Sequence, residues 1–274
     1  MENDKTIKDT VKQQFAKNAE KYVTSESHAK ADDLTLLLEW LNPQPDWVVL
    51  DIATGGGHVA KTLAPHVQSV FSTDLTRQML ENTAAHLKPH FHNIWYMVAD
   101  AESLPFLDST FDVVTCRLAP HHFPNPDQFV REAERVLKPK GKFLLIDNVA
   151  PSDPELADFM NTFEKLRDES HVRCLSIKEW RELFQSVGLR EANSRTRKKT
   201  YDFPVWATRM ANDSEQAECV KQFMKEGSQK LQQYFSVIMH EGQIQSLQVD
   251  EWMVLCEKSP SQDNPCSQRH SQED

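Results

Sequence analysis

Apolar and polar residues alternate in blocks along the chain, and the blocks predict strands and helices in turn. Residues 47–53 form an almost unbroken apolar run around one aspartate, which is typical of a strand buried on both faces. Further strands are predicted at 69–74, 93–99, 111–117 and 142–149, with helices at 57–66, 76–88 and 126–138 between them. This alternation predicts right-handed βαβ units in a parallel sheet. We therefore expect a doubly wound, Rossmann-like α/β fold.

The segments on either side of this core are predicted to be richer in helix. Residues 5–41 are expected to form helix, because apolar residues recur along them at spacings of three and four, with a break near 24–27. After the fifth strand, helices begin at Asp153 and Ser176, which are suited to cap them. A strand at 191–202, a long helix at 214–235 and a final strand at 248–257 are predicted to complete the fold.

These patterns predict four regions along the chain. Residues 1–46 form an N-terminal helical arm, which either acts as a lid or simply covers a sheet edge, and residues 47–150 form the ligand-binding core. Residues 151–258 supply cap helices and the final strands of the same domain. Residues 259–274 contain almost no apolar side chain, so we expect a disordered tail.

Composition excludes several classes of protein. The 274-residue chain has a formal net charge of −10, which argues against a nucleic-acid partner, and its one basic run, 195–199, is expected to be a solvated strand edge or loop. No apolar stretch approaches the roughly 20 residues of a membrane span. The five cysteines contain no Cys-x-x-Cys pair and no signal peptide is recognised, so we expect reduced thiols, no zinc site and a cytoplasmic location.

Three consecutive glycines, Gly55 to Gly57, follow the first strand. Glycine lets the backbone turn sharply and lets a ligand approach without a Cβ in the way. The spacing Gly55-x-Gly57-x-x-Ala60 also fits the loose dinucleotide fingerprint, which is weak when it stands alone. An NAD(P)-dependent oxidoreductase is therefore one reading of the loop.

Charged residues stand at the ends of four predicted strands: Asp51, Asp74, Asp100 and Arg117. In a doubly wound sheet, ligands bind at the carboxyl ends of the strands. Asp74 lies 17 residues after Gly57, where a carboxylate can accept the hydroxyl groups of a ribose. Asp100 is placed to accept a hydrogen bond from an adenine amino group, although either aspartate could instead cap a helix. The set favours a ligand with a ribose, an adenine and a positive charge.

Five motifs make the sequence similar to class I S-adenosylmethionine (SAM)-dependent methyltransferases, near the ubiquinone/menaquinone biosynthesis branch. They are Leu50–His58, Asp74, Ala99–Phe106, Phe111–Cys116 and Arg135–Asp147. Residues 166–173 and 176–180 resemble a bacterial subgroup of that family. The resemblance implies a seven-stranded sheet whose last strand is antiparallel, SAM as the methyl donor and a small-molecule acceptor.

The resemblance also implies roles for single residues. Asp51, Ala53, Gly55 and Gly57 hold the methionine part of SAM, Asp74 holds the ribose, Leu75 and Met79 line the adenine pocket, Asp100 and Ala101 meet the adenine edge, Arg117 lies beside the sulfonium, and Tyr22 closes over the ligand. Two positions depart from the family pattern. Ala53 stands where glycine is common, and Lys140 replaces a glycine in a turn that is strained only if it needs a positive φ.

Histidines supply the candidate catalytic groups. His121 and His122 lie in the loop after the fourth strand, where an imidazole could accept a proton or could hold a backbone carbonyl. His171 and Arg173 are a second candidate pair, for substrate contact or for a surface interaction. The expected reaction is methyl transfer by in-line displacement, which requires no metal. An NAD(P)-dependent oxidoreductase and a non-catalytic SAM-binding protein are the alternatives.

Overall fold

The computed structural model describes residues 2–23 and 32–260, without the side chains of residues 2, 18, 19 and 21–23. Two helices precede the sheet, α1 (Glu2–Val23) and α2 (Asp32–Leu41). The core strands are β1 (Val48–Ile52), β2 (Ser69–Asp74), β3 (Ile94–Val98), β4 (Phe111–Arg117) and β5 (Leu137–Val149). Between them lie α3 (His58–Leu63), α4 (Arg77–Leu87) and α5 (Pro126–Val136), with short 3₁₀ turns at 64–66 and 120–122.

The C-terminal segment adds five helices and three strands to this core. The helices are α6 (Pro154–Arg167), α7 (Ile177–Ser186), α8 (Phe203–Met210), α9 (Ser214–Glu226) and α10 (Gln229–Tyr234). The strands are β6 (Leu189–Asp202), β7 (Ile238–His240) and β8 (Gln243–Lys258).

The strand order is β3-β2-β1-β4-β5-β8-β6, and strands β1 to β5 run parallel. The last strand, β8, is antiparallel to both of its neighbours, β5 and β6. The predicted Rossmann-like sheet with an antiparallel last strand is therefore confirmed, and the three-residue β7 pairs with β8 as an additional short strand. The strand order reverses between β1 and β4, so a crevice opens at their carboxyl ends.

Apolar clusters cover both faces of the sheet. One face is packed by Phe111, Phe143 and Trp252, and the other by Leu37 and Leu144, all of them buried. A third cluster joins the helices after β5 to the start of β8. Burial on both faces explains why β1 carries an almost continuous apolar sequence.

The helix caps lie where the sequence predicts them, but one predicted helix is interrupted. The Asp153 side chain accepts hydrogen bonds from the first turn of α6, and Ser176 and Glu179 form a capping box at α7. The prediction of a single helix at 214–235 is wrong, because the helix is interrupted between α9 and α10. A Cβ at Gly227 would lie 2.9 Å from Cζ of Phe159, and Ser228 caps the next helix.

Three further predictions concern the edges of the fold. The basic run lies on the edge strand β6, but Arg197 and Lys199 turn inward to the buried Glu251. The four cysteines of the described residues are free thiols, and Cys266 lies outside those residues. None of the described helices has the length and apolar character that a bilayer span requires. The predicted break at 24–27 and the tail from residue 261 also lie outside the described residues.

Candidate functional site

A cleft opens at the carboxyl ends of β1, β2 and β4, and α1 covers one side of it. It contains about 1010 Å³ of space, its open mouth included. The sequence-predicted residues that line it are Asp51, Ala53, Gly55, Asp74, Leu75, Met79, Asp100, Ala101, Arg117 and His122. Gly57, His121, His171 and Arg173 do not line it, and the side chain of Tyr22 lies outside the described part of the chain.

Three residues of the loop after β1 have a positive φ. Gly55 has φ +54° and lines the cleft, and Gly57 has φ +75° but turns toward α4. A Cβ at Gly57 would lie 2.5 Å from Cγ2 of Thr83, so this glycine permits close helix packing. Ala53 has φ +51°, a conformation for which glycine is better suited. The positive φ explains why glycine is common in the family pattern at the position of Ala53.

Asp74 lies at the end of β2 and is anchored by the glycine loop. Its Oδ1 accepts the Thr76 N–H at 2.8 Å, and its Oδ2 accepts the Gly55 N–H at 3.1 Å. Burial raises the pKa of Asp74 to about 6, against the opposing effect of these donors. A carboxylate oxygen can accept more than one hydrogen bond, so both oxygens retain capacity for hydroxyl groups of a ligand.

Asp51 occupies the next strand end and is more deeply buried. It accepts hydrogen bonds from the hydroxyl groups of Thr54, at 2.6 Å, and Thr115, at 2.9 Å. Burial raises the pKa of Asp51 to about 6, although these hydroxyl groups and Arg117 oppose the rise. A cationic ligand group beside it would stabilise the ionised form.

Asp100 is joined to the N-terminal arm by an ion pair that the sequence analysis missed. Lys8 Nζ lies 2.7 Å from Asp100 Oδ2 and 2.5 Å from Glu102 Oε2. Burial alone would lower the pKa of Lys8, but the hydrogen bonds to the two carboxylates outweigh it and raise the pKa. The pair fixes α1 against the end of β3, and Val11 and Phe15 of the same helix line the cleft.

The two adjacent histidines differ in position. His122 lines the cleft, and its Nδ1 lies 3.0 Å from the main-chain oxygen of Ser170. His121 turns its Nδ1 to Asp147 Oδ1 at 2.7 Å. Burial alone would lower the pKa of His121, but Asp147 outweighs it and raises the pKa. Burial, with the charge of His121, lowers the pKa of His122 to about 4.

The second candidate pair lies away from the cleft. His171 Nε2 lies 3.0 Å from Asn161 Oδ1, and burial strongly lowers the pKa of His171. Arg173 forms an ion pair with Glu179 on α7, and its side chain is 55% exposed. These contacts are those of a buried loop residue and a surface interaction.

Several residues that line the cleft carried no recognised signal. Thr54 and Thr76 stand next to predicted residues, and Leu118 adopts a positive φ of 54° beside Arg117. Thr76 is buried, and its side-chain hydroxyl is one of the groups that lower the pKa of Asp74. No group of three His, Cys, Asp or Glu side chains within residues 2–23 and 32–260 is arranged to hold a metal ion.

Known proteins are similar to this chain in both sequence and fold. Residues 50–145 match the family model described as a methyltransferase domain. The uncharacterized methyltransferase YcgJ of Bacillus subtilis is 34% identical over 228 residues, which cover 83% of this chain and 90% of YcgJ. The crystal structure of YcgJ aligns with a TM-score of 0.80 and 32% identity, covering 82% of this chain and 97% of that one.

Two further comparisons extend this similarity. The crystal structure of a protein from Bacillus halodurans aligns with a TM-score of 0.81 and 36% identity, over 84% of this chain and all of that one. The ubiquinone/menaquinone biosynthesis C-methyltransferase UbiE of Rickettsia typhi is 34% identical over 119 residues, 40% of this chain and 48% of UbiE. This chain therefore belongs to the class I SAM-dependent methyltransferase family, near its UbiE-like branch.

Proposed function

We propose that the protein binds SAM in the cleft and transfers its methyl group to a small-molecule acceptor. The observation that carries the proposal is the convergence of Asp51, Asp74 and Asp100 on one cleft from three neighbouring strand ends. Carboxylates of this kind suit a ligand that presents hydroxyl, amino and cationic groups. The apolar side chains of Leu75 and Met79 lie among them and suit the faces of an aromatic ring.

Each residue has a defined task in this proposal. Asp74 accepts the ribose hydroxyl groups, Asp100 and Ala101 meet the adenine edge, and Asp51 faces the positively charged end. Gly55 and Ala53 leave room for the methionine part, while Arg117 and His122 lie toward the acceptor.

When bound, SAM would supply an electrophilic methyl group. The cleft contributes alignment of the reacting atoms and exclusion of water, to which Val11 and Phe15 of α1 add cover. Such alignment lowers reaction barriers by up to roughly 7–11 kcal/mol in favourable intramolecular models. The cover that α1 gives the cleft and the net charge of −10 favour a small molecule over a nucleic acid as the acceptor. A cytoplasmic location stays a prediction.

Calorimetric titration with S-adenosylhomocysteine, the expected product, tests the binding site. We expect Asp74→Ala to weaken binding at least tenfold and Asp127→Ala to leave it unchanged, because Asp127 lies on the exposed face of α5 and does not line the cleft. NAD(P) should not raise the melting temperature, whereas S-adenosylhomocysteine should. Unaltered binding by the Asp74 variant, or stabilisation by NAD(P) alone, would contradict the proposal.

Transfer itself is tested with SAM carrying a radiolabelled methyl group. We expect label to appear in a small-molecule fraction of a metabolite extract, and Asp74→Ala to reduce it. Binding without transfer to any fraction would leave the non-catalytic SAM-binding protein as the correct reading.

A further inference from the structure

The imidazole of His122 is held in one tautomer at the wall of the cleft. Its Nδ1 lies 3.0 Å from the main-chain oxygen of Ser170, and a carbonyl oxygen can only accept a hydrogen bond. Nδ1 must therefore carry the ring proton. A neutral imidazole has a single N–H, so Nε2 carries the lone pair. No hydrogen bond joins Nε2 to another group in the described part of the chain.

The Ser170 side chain reinforces this arrangement. Its Oγ lies 2.5 Å from Asp168 Oδ1, and the main-chain N–H of Ser170 donates to the same oxygen at 2.9 Å. Because the hydroxyl proton is directed to the carboxylate, the lone pairs of Oγ are free to face Nδ1 of His122, 3.3 Å away. Asp168 thus orients Ser170, and Ser170 orients His122. All three residues are buried, with exposures of 2%, 0% and 6%.

The surroundings of His122 keep the ring uncharged. The ring centroids of His121 and His122 lie 4.2 Å apart. The rings of Phe15 in α1 and His122 lie edge to face, with their centroids 5.0 Å apart. Burial and the charge of His121 lower the pKa of His122 to about 4, although Asp168 and Asp147 oppose this effect. His122 is therefore neutral near pH 7, with the lone pair of Nε2 available.

Resting on the proposed methyl transfer, we propose that Nε2 of His122 accepts the proton of a neutral hydroxyl or N–H acceptor, with Ser170 and Asp168 as positioning residues. The acceptor atom forms a bond to the methyl carbon, and the electron pair of the carbon–sulfur bond goes to sulfur. The acceptor atom becomes positively charged, its proton passes to Nε2, and the imidazolium releases it to water. The products are the methylated acceptor, S-adenosylhomocysteine and one proton.

A weak base suffices for this step. The hydroxyl or N–H proton becomes much more acidic as its atom donates a lone pair to the methyl carbon, so proton transfer can follow late in bond formation. The adjacent His121, whose charge disfavours a second positive ring, then promotes release of the proton. An acceptor without a proton, such as a thiolate, has no use for this arrangement. The geometry therefore points to an alcohol, a phenol or an amine as the acceptor class.

Long-range proton–nitrogen correlation spectra of the ¹⁵N-histidine-labelled protein test the tautomer without turnover. His122→Gln assigns the resonances. We expect His122 to be the Nδ1–H tautomer and to stay neutral down to about pH 4. Ser170→Ala and Asp168→Asn should each increase the Nε2–H population, while the exposed His86 on α4 serves as the internal control. A wild-type His122 that carries its proton on Nε2, or is charged at pH 7, would overturn the proposal.

Probe binding tests the acceptor class in the presence of saturating S-adenosylhomocysteine. Phenol, benzyl alcohol and aniline are the probes, because all three are neutral near pH 7, and toluene is the matched compound without a transferable proton. We expect at least one of the three probes to shift the Nε2 resonance of His122, and toluene to leave it in place. No shift with any probe would refute the proposal, and failure of S-adenosylhomocysteine to bind would refute the proposed function instead. With an acceptor that turns over, His122→Ala should lower kcat by roughly 10²–10⁴-fold.

Discussion

Arg117 at the end of β4 and Asp33 in the first turn of α2 form a bidentate ion pair. Nε lies 2.6 Å from Oδ2 and Nη2 lies 3.2 Å from Oδ1, and the two side chains are only 6% and 4% exposed. Burial alone would raise the pKa of Asp33, but the hydrogen bond from Arg117 and the positive charges of Arg117, Lys199 and Arg197 together outweigh it and lower the pKa. Because Arg117 also lines the cleft, this pair attaches a helix ahead of the sheet directly to the wall of the candidate site.

Arg117→Ala should destabilise the protein strongly. The substitution removes the bidentate partner of the buried Asp33 and leaves it Arg197, whose Nη2 lies 3.9 Å from Oδ1, so the free energy of unfolding should fall by up to about 3–5 kcal/mol. Urea denaturation measures the change. The matched control is Arg131→Ala, which removes a bidentate pair of similar geometry with Asp127 on the exposed face of α5, and no measurable change is expected there.

The double variant Asp33→Leu with Arg117→Met separates pairing from packing. It removes both charges together, so its loss should be clearly smaller than that of Arg117→Ala. Equal losses in the two variants would contradict the view that the unpaired Asp33 carboxylate causes the destabilisation.

Lys8→Ala should loosen the arm over the cleft. The substitution removes the two carboxylate contacts that fix α1 to the end of β3, so amide hydrogens of α1 should exchange faster. Hydrogen exchange measured by mass spectrometry reports this directly. Lys12→Ala is the control, because within the described residues Lys12 pairs only with Asp9 of the same helix. If both variants exchange at the wild-type rate, the ion pair does not anchor the helix.

Binding of S-adenosylhomocysteine should weaken as the pH falls through about 6. Asp74 has a pKa raised to about 6, and only its ionised form accepts two ribose hydroxyl groups while holding its own backbone donors. Below pH 6, protonation of Asp74 should lower the affinity by up to about tenfold per pH unit. Calorimetric titrations between pH 5 and 8 measure the effect, and Asp74→Asn should make the profile shallower, while Asp51, whose pKa is also raised to about 6, keeps part of the pH dependence.

The same shift predicts the opposite trend for the unliganded protein. A raised carboxyl pKa means that the folded state binds a proton more tightly than the unfolded state does. The contribution of Asp74 to stability is therefore largest below 3.8 and declines as the pH rises to about 6. Denaturation of the Asp74→Asn variant over this range should lack that decline, and an unchanged slope would contradict the assignment.

The strand ends of the site could be predicted from sequence, whereas the contacts around them could not. Asp51, Asp74 and Arg117 follow from apolar blocks of local sequence, since parallel strands bring their carboxyl ends together. The contact between Lys8 and Asp100 joins residues 92 positions apart, and no local pattern specifies it. Likewise, His122 rather than His121 lines the cleft because Ser170, 48 residues later, holds its ring.

The regional division also follows from local patterns. The boundaries at 46, 150 and 258 rest on where the apolar blocks change character, and they stay predictions. The broken helix after Ser214 shows why such patterns fail inside the C-terminal segment. Its helical period continues through Gly227, but the close approach of Phe159 to that glycine is a tertiary contact.

Lys140→Gly should stabilise the protein slightly. Lys140 has φ +65°, so the turn before the buried part of β5 holds a lysine in the left-handed region. That conformation costs a non-glycine residue roughly 1–2 kcal/mol, while glycine loses about 0.5–1 kcal/mol in backbone entropy. A net gain of about 0.5–1 kcal/mol is expected by urea denaturation. Lys140→Ala keeps the strained backbone and should give no gain, and an equal gain from alanine would point to the lysine side chain.

Gly57→Ala should destabilise the protein much more than Gly55→Ala. Both glycines have positive φ, so either substitution strains the backbone by about 1–2 kcal/mol. At Gly57 the added methyl group would also lie 2.5 Å from Cγ2 of Thr83 and 2.7 Å from Cδ1 of Leu87, whereas at Gly55 the nearest atom is 3.7 Å away. Overpacking of this kind adds about 1–3 kcal/mol. Since only Gly55 lines the cleft, Gly55→Ala should instead weaken S-adenosylhomocysteine binding. Equal stability of the two variants in urea would mean that α4 moves away from Gly57 without loss.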